Sequence, residues 1–243
     1  MKKFISLVSL VMACGSLSSA FAQSCATMLL FKENSSITTT SYDANAKALS
    51  SSIHTVTKVS KEGETIISKS KVENSVKKSA TTTEFTVRCE KDKLKVDMSS
   101  MIPVQSVPGM ENIQVTVSGD AMEIPTVITV GQSLPDGFAS VEMTNAGTRM
   151  GNMRYAVKNR KVEAKETITT PAGSFVCYKI SSEFNSTTMM QMPGMPGGAM
   201  PAMVMNGKII QWFSFELGAD VKTENYGTDG KLTGYMLITE VKK

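Results

Sequence analysis

Histidine is all but missing from this chain: His54 is the only one among 243 residues. A zinc centre of the usual kinds needs several imidazole or thiolate ligands, and Cys14, Cys25, Cys89 and Cys177 nowhere stand in C-x-x-C spacing. There is no GxSxG nucleophile turn, no GxxxxGK[ST] phosphate loop and no GxGxxG, so the compact signatures of hydrolases, nucleotide-binding and dinucleotide enzymes are lacking. Carboxylate pairs are no better placed. Glu163 and Glu166 fall on opposite faces of one expected strand, while Asp92 and Asp97 sit at a turn and a strand end; all four read as solvated charges. The expectation is a non-enzymatic protein with no catalytic residues, no metal site and no cofactor.

Long apolar runs are also lacking. Nothing supplies the roughly 20 consecutive apolar residues of a membrane helix. The run from Phe4 to Met12 is too short, and it follows Lys2 and Lys3 and precedes Ala20-Phe21-Ala22. That order of charged, apolar and small residues is a secretory signal peptide over 1–22, cleaved near Ala22, before Gln23. A lipoprotein signal ending at Cys14 is the lesser alternative, since it shortens the apolar region and ignores the Ala-x-Ala site. Cleavage removes two lysines, so the formal net charge falls from +4 to +2. A balance so close to neutral, without clustered arginines, gives no footprint for nucleic acid. The mature protein is expected in the periplasm or secreted, not membrane-spanning.

What is present is β pattern. Threonine, valine, serine, isoleucine and lysine alternate with period two, as in half-buried antiparallel strands. Strands are expected at 64–72, 84–90, 94–98, 113–117, 139–143 and 150–157, with a weak helical signal at 42–52. Thr170-Pro171-Ala172-Gly173 divides "ETITT" from "SFVCYKI", proline supplying a fixed φ and glycine a positive one. A second hairpin turns at Asp229-Gly230, a dipeptide favoured in type I′ turns. Trp212, the only tryptophan, is read as a sheet-packing residue. About a dozen strands need a solution for their edges, either closure or curling. The expected fold is all-β: a strongly curved antiparallel sheet forming an open or half barrel, apolar on its concave side and rich in lysine and threonine outside. Residues 23–243 are expected to be one domain.

The mature chain keeps Cys25, Cys89 and Cys177, an odd number. A Cys25–Cys89 bridge would tie the N-terminus to an interior strand in an oxidising compartment, leaving Cys177 as a small apolar core residue. Methionine is the one residue in excess: seven of the 18 lie in 189–205, among prolines and glycines. Met189, Met190, Met192, Met195 and Met200 are candidates for a flexible lid over an apolar ligand. The first four could instead offer thioethers to Cu(I), a soft ion, or the segment could be a loosely packed loop. A second cluster, Met98, Met101 and Met110, is similar in composition.

"VGQSLPDG" (130–137), "NRKVEAKETITTPAGSFVCYKI" (159–180) and "GADVKTENYGTDGKLTGYMLITEVK" (218–242) resemble the TapB-like or DUF3108-like families of exported Bacteroidota proteins. The resemblance extends over most of the mature chain and implies a curved sheet similar in shape to the half barrels of periplasmic lipoprotein carriers. It brings no catalytic residues. At 211–218 the chain departs from the family pattern, lacking a proline in the turn. The function expected is binding of an apolar or lipid-like molecule on the concave face. The alternative is a structural or interaction module that engages an envelope protein.

Overall fold

The computed structural model describes residues 25–76, 79–96, 113–191 and 201–243. The signal segment 1–22, Asp97 and Met98, Met101, Met110, Met192, Met195 and Met200 lie outside the described residues. After two short 3-10 turns, Cys25–Thr27 and Leu29–Phe31, come β1 (Ser36–Asp43), β2 (Ala48–Glu62), β3 (Thr65–Val76), β4 (Ser79–Glu90), β5 (Lys93–Val96), β6 (Ile113–Asp120) and β7 (Met122–Pro125). Then follow β8 (Gly137–Asn145), β9 (Thr148–Thr170), β10 (Gly173–Met190), β11 (Met203–Ser214), β12 (Ala219–Tyr226) and β13 (Leu232–Lys242).

All thirteen belong to one antiparallel sheet in the order β6-β8-β9-β10-β11-β12-β13-β1-β2-β3-β4-β5-β7. The two edge strands, β6 and β7, are consecutive in the chain and separated by Ala121 alone. One residue spans less than 4 Å, so the opposite edges of the sheet must come together. The sheet is therefore rolled nearly into a barrel, which removes most of the exposed edge that thirteen strands would otherwise present. The all-β curved sheet expected from the alternation is what forms.

Local sequence explains most joints. β9 and β10 meet at Pro171-Ala172, with Thr170 paired to Gly173 and Gly173 at φ 128°. The hydroxyl of Thr170 accepts the Ala172 N–H at 3.2 Å. At 42–52 the weak helical signal is overturned: β1 and β2 form a hairpin. Asp43 Oδ1 accepts the N–H groups of Asn45 and Lys47, both at 2.9 Å, and Ala46 takes φ 61°. An Asx-type turn therefore wins over helix propensity. The β12–β13 turn also differs from the expected two-residue form. Tyr226 pairs with Leu232 and only Gly230 has positive φ, whereas a type I′ turn needs two such residues.

The largest difference lies in β9, expected to begin with a separate strand at 150–157. It runs unbroken for 23 residues because two bulges let it bend without ending. Its register on β10 slips between Ser181 and Glu183, where Asn159 adopts φ 53°, and again beside Ile180, where Glu163 is the extra residue. A bulge adds twist and re-aims the side chains that follow it.

Rolling the sheet creates two apolar clusters. One is interior and includes Val56, Val87, Leu94, Ile124, Val162, Ile180 and Phe213. The other joins Phe175, Cys177, Trp212, Val221 and Ile238. Lys179 and Trp212 are cross-strand partners, as are Ile180 and Gln211, so alternation puts Trp212 on the face opposite Ile180. The outer face, expected to be rich in lysine and threonine, thus carries an apolar cluster at β10–β13, where Ile168 and Ala172 of the bent β9–β10 hairpin pack against it.

The segment before β1 closes one end. Met28, Leu30 and Phe31 are buried in the interior cluster. The N–H groups of Leu29 and Leu30 donate to the carbonyls of Glu216 and Leu217, at 2.9 and 3.0 Å. Those carbonyls are presented by the turn after β11, which closes without proline through Gly218 at φ 73°. A Cβ at 218 would sit 3.1 Å from Leu30 and 3.3 Å from Met28, so this position needs glycine for both conformation and space. Cys25 and Cys89 are joined by a disulfide, Cα to Cα 6.0 Å, which fixes the plug to β4.

Candidate functional site

Inside the rolled sheet is a cavity of about 410 Å³. Its walls are largely apolar, with Leu30 of the plug and Val72, Phe85, Ile124, Phe213 and Met236 from five strands. A wider, open groove of about 790 Å³ runs along Phe184, Gly207 and Tyr226. We take the interior cavity as the candidate site, since concave, mostly apolar walls with a few placed polar groups are the usual make-up of a small-molecule pocket.

Polar side chains interrupt its apolar wall, among them His54, Arg160, Gln211 and Asp220. Arg160 is 2% exposed. It lies just past the Asn159 bulge, and its Nη1 donates to the carbonyls of Glu123 at 2.9 Å and Pro135 at 2.7 Å. Those two bonds bind edge strand β7 and the segment before β8 to β9, so the arginine holds the barrel seam together. Its Nε has no hydrogen-bond partner. Burial lowers the pKa of Arg160, while the charges of Asp220 and Asp136 act to raise it.

Asp220 is brought inward by another register slip, between Trp212 and Phe213, which pairs Phe213 with Asp220 and leaves Val221 extra. Gln211 Nε2 donates to its Oδ2 at 2.6 Å. Burial raises its pKa from 3.8 to about 6, opposed by the Gln211 hydrogen bond and the Arg160 charge. His54, on β2, sets its ring edge-on to Phe85 with centroids 5.0 Å apart. Its Nε2 is buried and unpartnered, and burial lowers its pKa from 6.5 to about 4. The cavity therefore holds a permanent cation, a carboxyl that is easily protonated, and a neutral imidazole.

Replacing Arg160 with lysine keeps the charge but loses the planar fork that reaches two carbonyls. We expect Arg160→Lys to cost about 2 kcal/mol of stability in urea denaturation, the scale of charged hydrogen bonds lost from a buried site. An unchanged midpoint would show that the seam does not depend on those bonds.

Neither Met189 nor Met190 lines this cavity. They end β10 and are 43% and 41% exposed, beside Met203, Val204 and Met205 on β11. The strands thus extend further into the methionine-rich segment than the 189–205 loop expected from sequence. Trp212 is buried at 5% exposure in the second cluster; its Nε1 donates to Glu166, and Lys222 and Lys179 lie 4.6 and 5.3 Å from its ring centroid. Glu166 is thereby a partner of the tryptophan, while Glu163 accepts from Ser181 at 2.6 Å. Cys177 is free and fully buried, its thiol pushed up to about 12 by burial and by the charges of Asp220 and Glu166. Among the described residues no group of three or more His, Cys, Asp or Glu side chains gathers to hold a metal, and no helix is long and apolar enough to cross a membrane.

Arg160 and Asp220 were not singled out from sequence. Each adjoins a bulge, and a register slip leaves no mark in a period-two pattern beyond a polar residue where an apolar one is due.

Those two inward-turned residues lie within 32–238, the span matched by a family model described as DUF3108-like. The chain belongs to that family. No curated protein matches it. Two crystal structures are similar to it. A Bacteroides fragilis protein, described as a "putative exported protein with YmcC-like fold", shares 20% identity at a TM-score of 0.66, covering 87% of this chain and 97% of its own. A "putative lipoprotein" from Parabacteroides distasonis shares 18% at 0.65, covering 88% and 99%. At these identities the likeness shows the fold. The rolled sheet of this DUF3108-like chain is thus a shared architecture.

Proposed function

We propose that this DUF3108-like protein is an exported, non-enzymatic binding protein that holds an apolar or lipid-like molecule inside its rolled sheet. One observation carries the proposal: an interior cavity of about 410 Å³ with mostly apolar walls. At about 30 Å³ for each water-sized group, it has room for on the order of a dozen such groups, the scale of a single medium-length acyl chain. Export is supported by the signal-like segment 1–22, by the Cys25–Cys89 bridge, which belongs to oxidising compartments, and by the exported or lipoprotein descriptions of the two similar structures.

Decanol, an uncharged ten-carbon chain, is the direct probe. Present at about 100 times its dissociation constant, a ligand of the folded state adds about 2.7 kcal/mol of stability. We expect decanol to raise the unfolding temperature of the protein, and Val72→Trp, which fills the cavity from β3, to abolish the rise. Equal shifts in both proteins would place the binding elsewhere, and no shift in either would end the proposal.

A second role, as a module that engages an envelope protein, is favoured by the exposed Met189, Met190, Met203, Val204 and Met205 at one end of the β10–β11 pair. In that case the methionines are a contact surface, since contiguous exposed apolar side chains mark interaction sites.

A further inference from the structure

We infer that the cavity takes its ligand by an acidic head, a carboxyl group seated between Arg160 and Asp220, so that the preferred ligand is a medium-chain fatty acid. This rests on the binding role proposed above and names the ligand class for the same site.

Arg160 is 98% buried, on the figure of 2% exposure, and keeps an Nε–H with no acceptor. A buried donor left unpaired costs roughly 1–3 kcal/mol, and a ligand oxygen would recover it. Two of the arginine's nitrogen-borne bonds already go to the carbonyls of Glu123 and Pro135, so the guanidinium is held in one orientation before a ligand arrives. Asp220 feels the arginine's charge but makes no hydrogen bond or ion pair with it among the described residues; its named partner is Gln211. Cation and carboxyl thus share the cavity wall without closing on each other. A group that both accepts from the guanidinium and shares a proton with Asp220 completes the arrangement. A carboxyl does both, and its chain is left facing Val72, Phe85 and Met236. An alcohol or ester cannot supply the negative charge that Arg160 lacks when Asp220 is protonated.

The groups acting on Asp220 are Arg160 from β9 and Gln211 from β11. Cys177 on β10 senses its charge, as it does that of Glu166, and Asp136, ahead of β8, acts on Arg160. His54, also on the wall, is neutral above about pH 4. Two carboxyls in one site cannot both ionise cheaply, so the pair retains one proton. Near pH 6 that proton is already on Asp220 in half the molecules. At higher pH binding must take it up from solvent. Affinity should fall about 50-fold between pH 6 and pH 8, the ratio of the protonated fractions of a group with that pKa.

The test compares decanoate with decanol by isothermal titration at pH 6 and pH 8, on the wild-type protein and on Asp220→Asn. We expect decanoate to bind at least tenfold tighter than decanol at pH 6 and to lose about 50-fold by pH 8, with decanol insensitive to pH. Asp220→Asn should remove the loss, holding decanoate affinity within threefold across the two pH values, while leaving Arg160 and its seam bonds in place. Decanol binding as tightly as decanoate overturns the head-group assignment and leaves the apolar cavity standing. A pH dependence that survives Asp220→Asn overturns it as well. Failure of both ligands to bind overturns the assignment together with the binding role beneath it.

Discussion

Severing the Cys25–Cys89 bridge is expected to cost about 4 kcal/mol of folding stability. The bond joins residues 64 apart in sequence, and the loop-closure entropy it removes from the unfolded chain lies between about 3 kcal/mol for a 15-residue loop and about 4.7 for a 100-residue one. The cost is large beside a typical total of 5–15 kcal/mol for a domain. Its structural consequence should be local before it is global. Cys25 precedes the plug, and the plug's remaining ties include the Glu216 and Leu217 carbonyls, the Ser68 hydroxyl that donates to Leu30, and the burial of Met28 and Phe31. Cys25→Ser with Cys89→Ser should lower the guanidinium midpoint and steepen the slope, since the unfolded chain without its cross-link exposes more surface, and limited proteolysis should then cut before β1. A loss under 1 kcal/mol would mean that the plug docks through its own contacts, with the disulfide added to an already ordered end.

The second large effect is a cancellation. His54 has a native pKa of about 4 against an unfolded value of 6.5, so between those values the unfolded chain binds the extra proton. Its contribution makes stability fall as pH drops from 6.5 towards 4. Asp220 has a native value of about 6 against 3.8, so the native state binds the extra proton, and its contribution makes stability fall as pH rises from 4 towards 6. At 1.36 kcal/mol per pH unit, each shift amounts to about 3 kcal/mol. The two slopes oppose across the same window, and in the wild type they offset. Each variant should uncover the other group. Measured as the difference from wild type between pH 4 and pH 6.5, Asp220→Asn should lose about 3 kcal/mol more at the acid end, and His54→Gln about 3 kcal/mol more at the neutral end. Taking differences removes the exposed carboxylates from the comparison. Parallel pH curves for wild type and both variants would show that neither group titrates inside a dry cavity.

Both effects depend on features of unequal legibility. The strand content, the turn at Pro171-Ala172, the packing role of Trp212 and the buried Cys177 could be read from alternation and residue type, because the physics behind them is local or nearly so. Pairing of a half-buried strand leaves a period of two in the sequence, and a proline–glycine turn acts within four residues. The misjudged places are those where neighbours in space overrule neighbours in the chain. At 42–52 the Asp43 carboxylate captured two backbone N–H groups and made a hairpin. Along β9 two bulges joined what looked like separate strands. At the β10–β11 end, continued pairing carried the strands to Met190 and from Met203.

By itself, the sequence determined that this chain would be β throughout, curved, and without the residue sets of familiar metal or nucleophilic chemistry, since those properties follow from composition and from periods of a few residues. Only the tertiary structure decided that the sheet rolls until β6 and β7 lie together, that Arg160 and Asp220 turn inward, and that a largely apolar cavity forms around them. The reason is that closure and register belong to pairings over long separations, such as Ile37 with Val241, and a one-residue slip at such a pairing reverses which face of the sheet a side chain occupies.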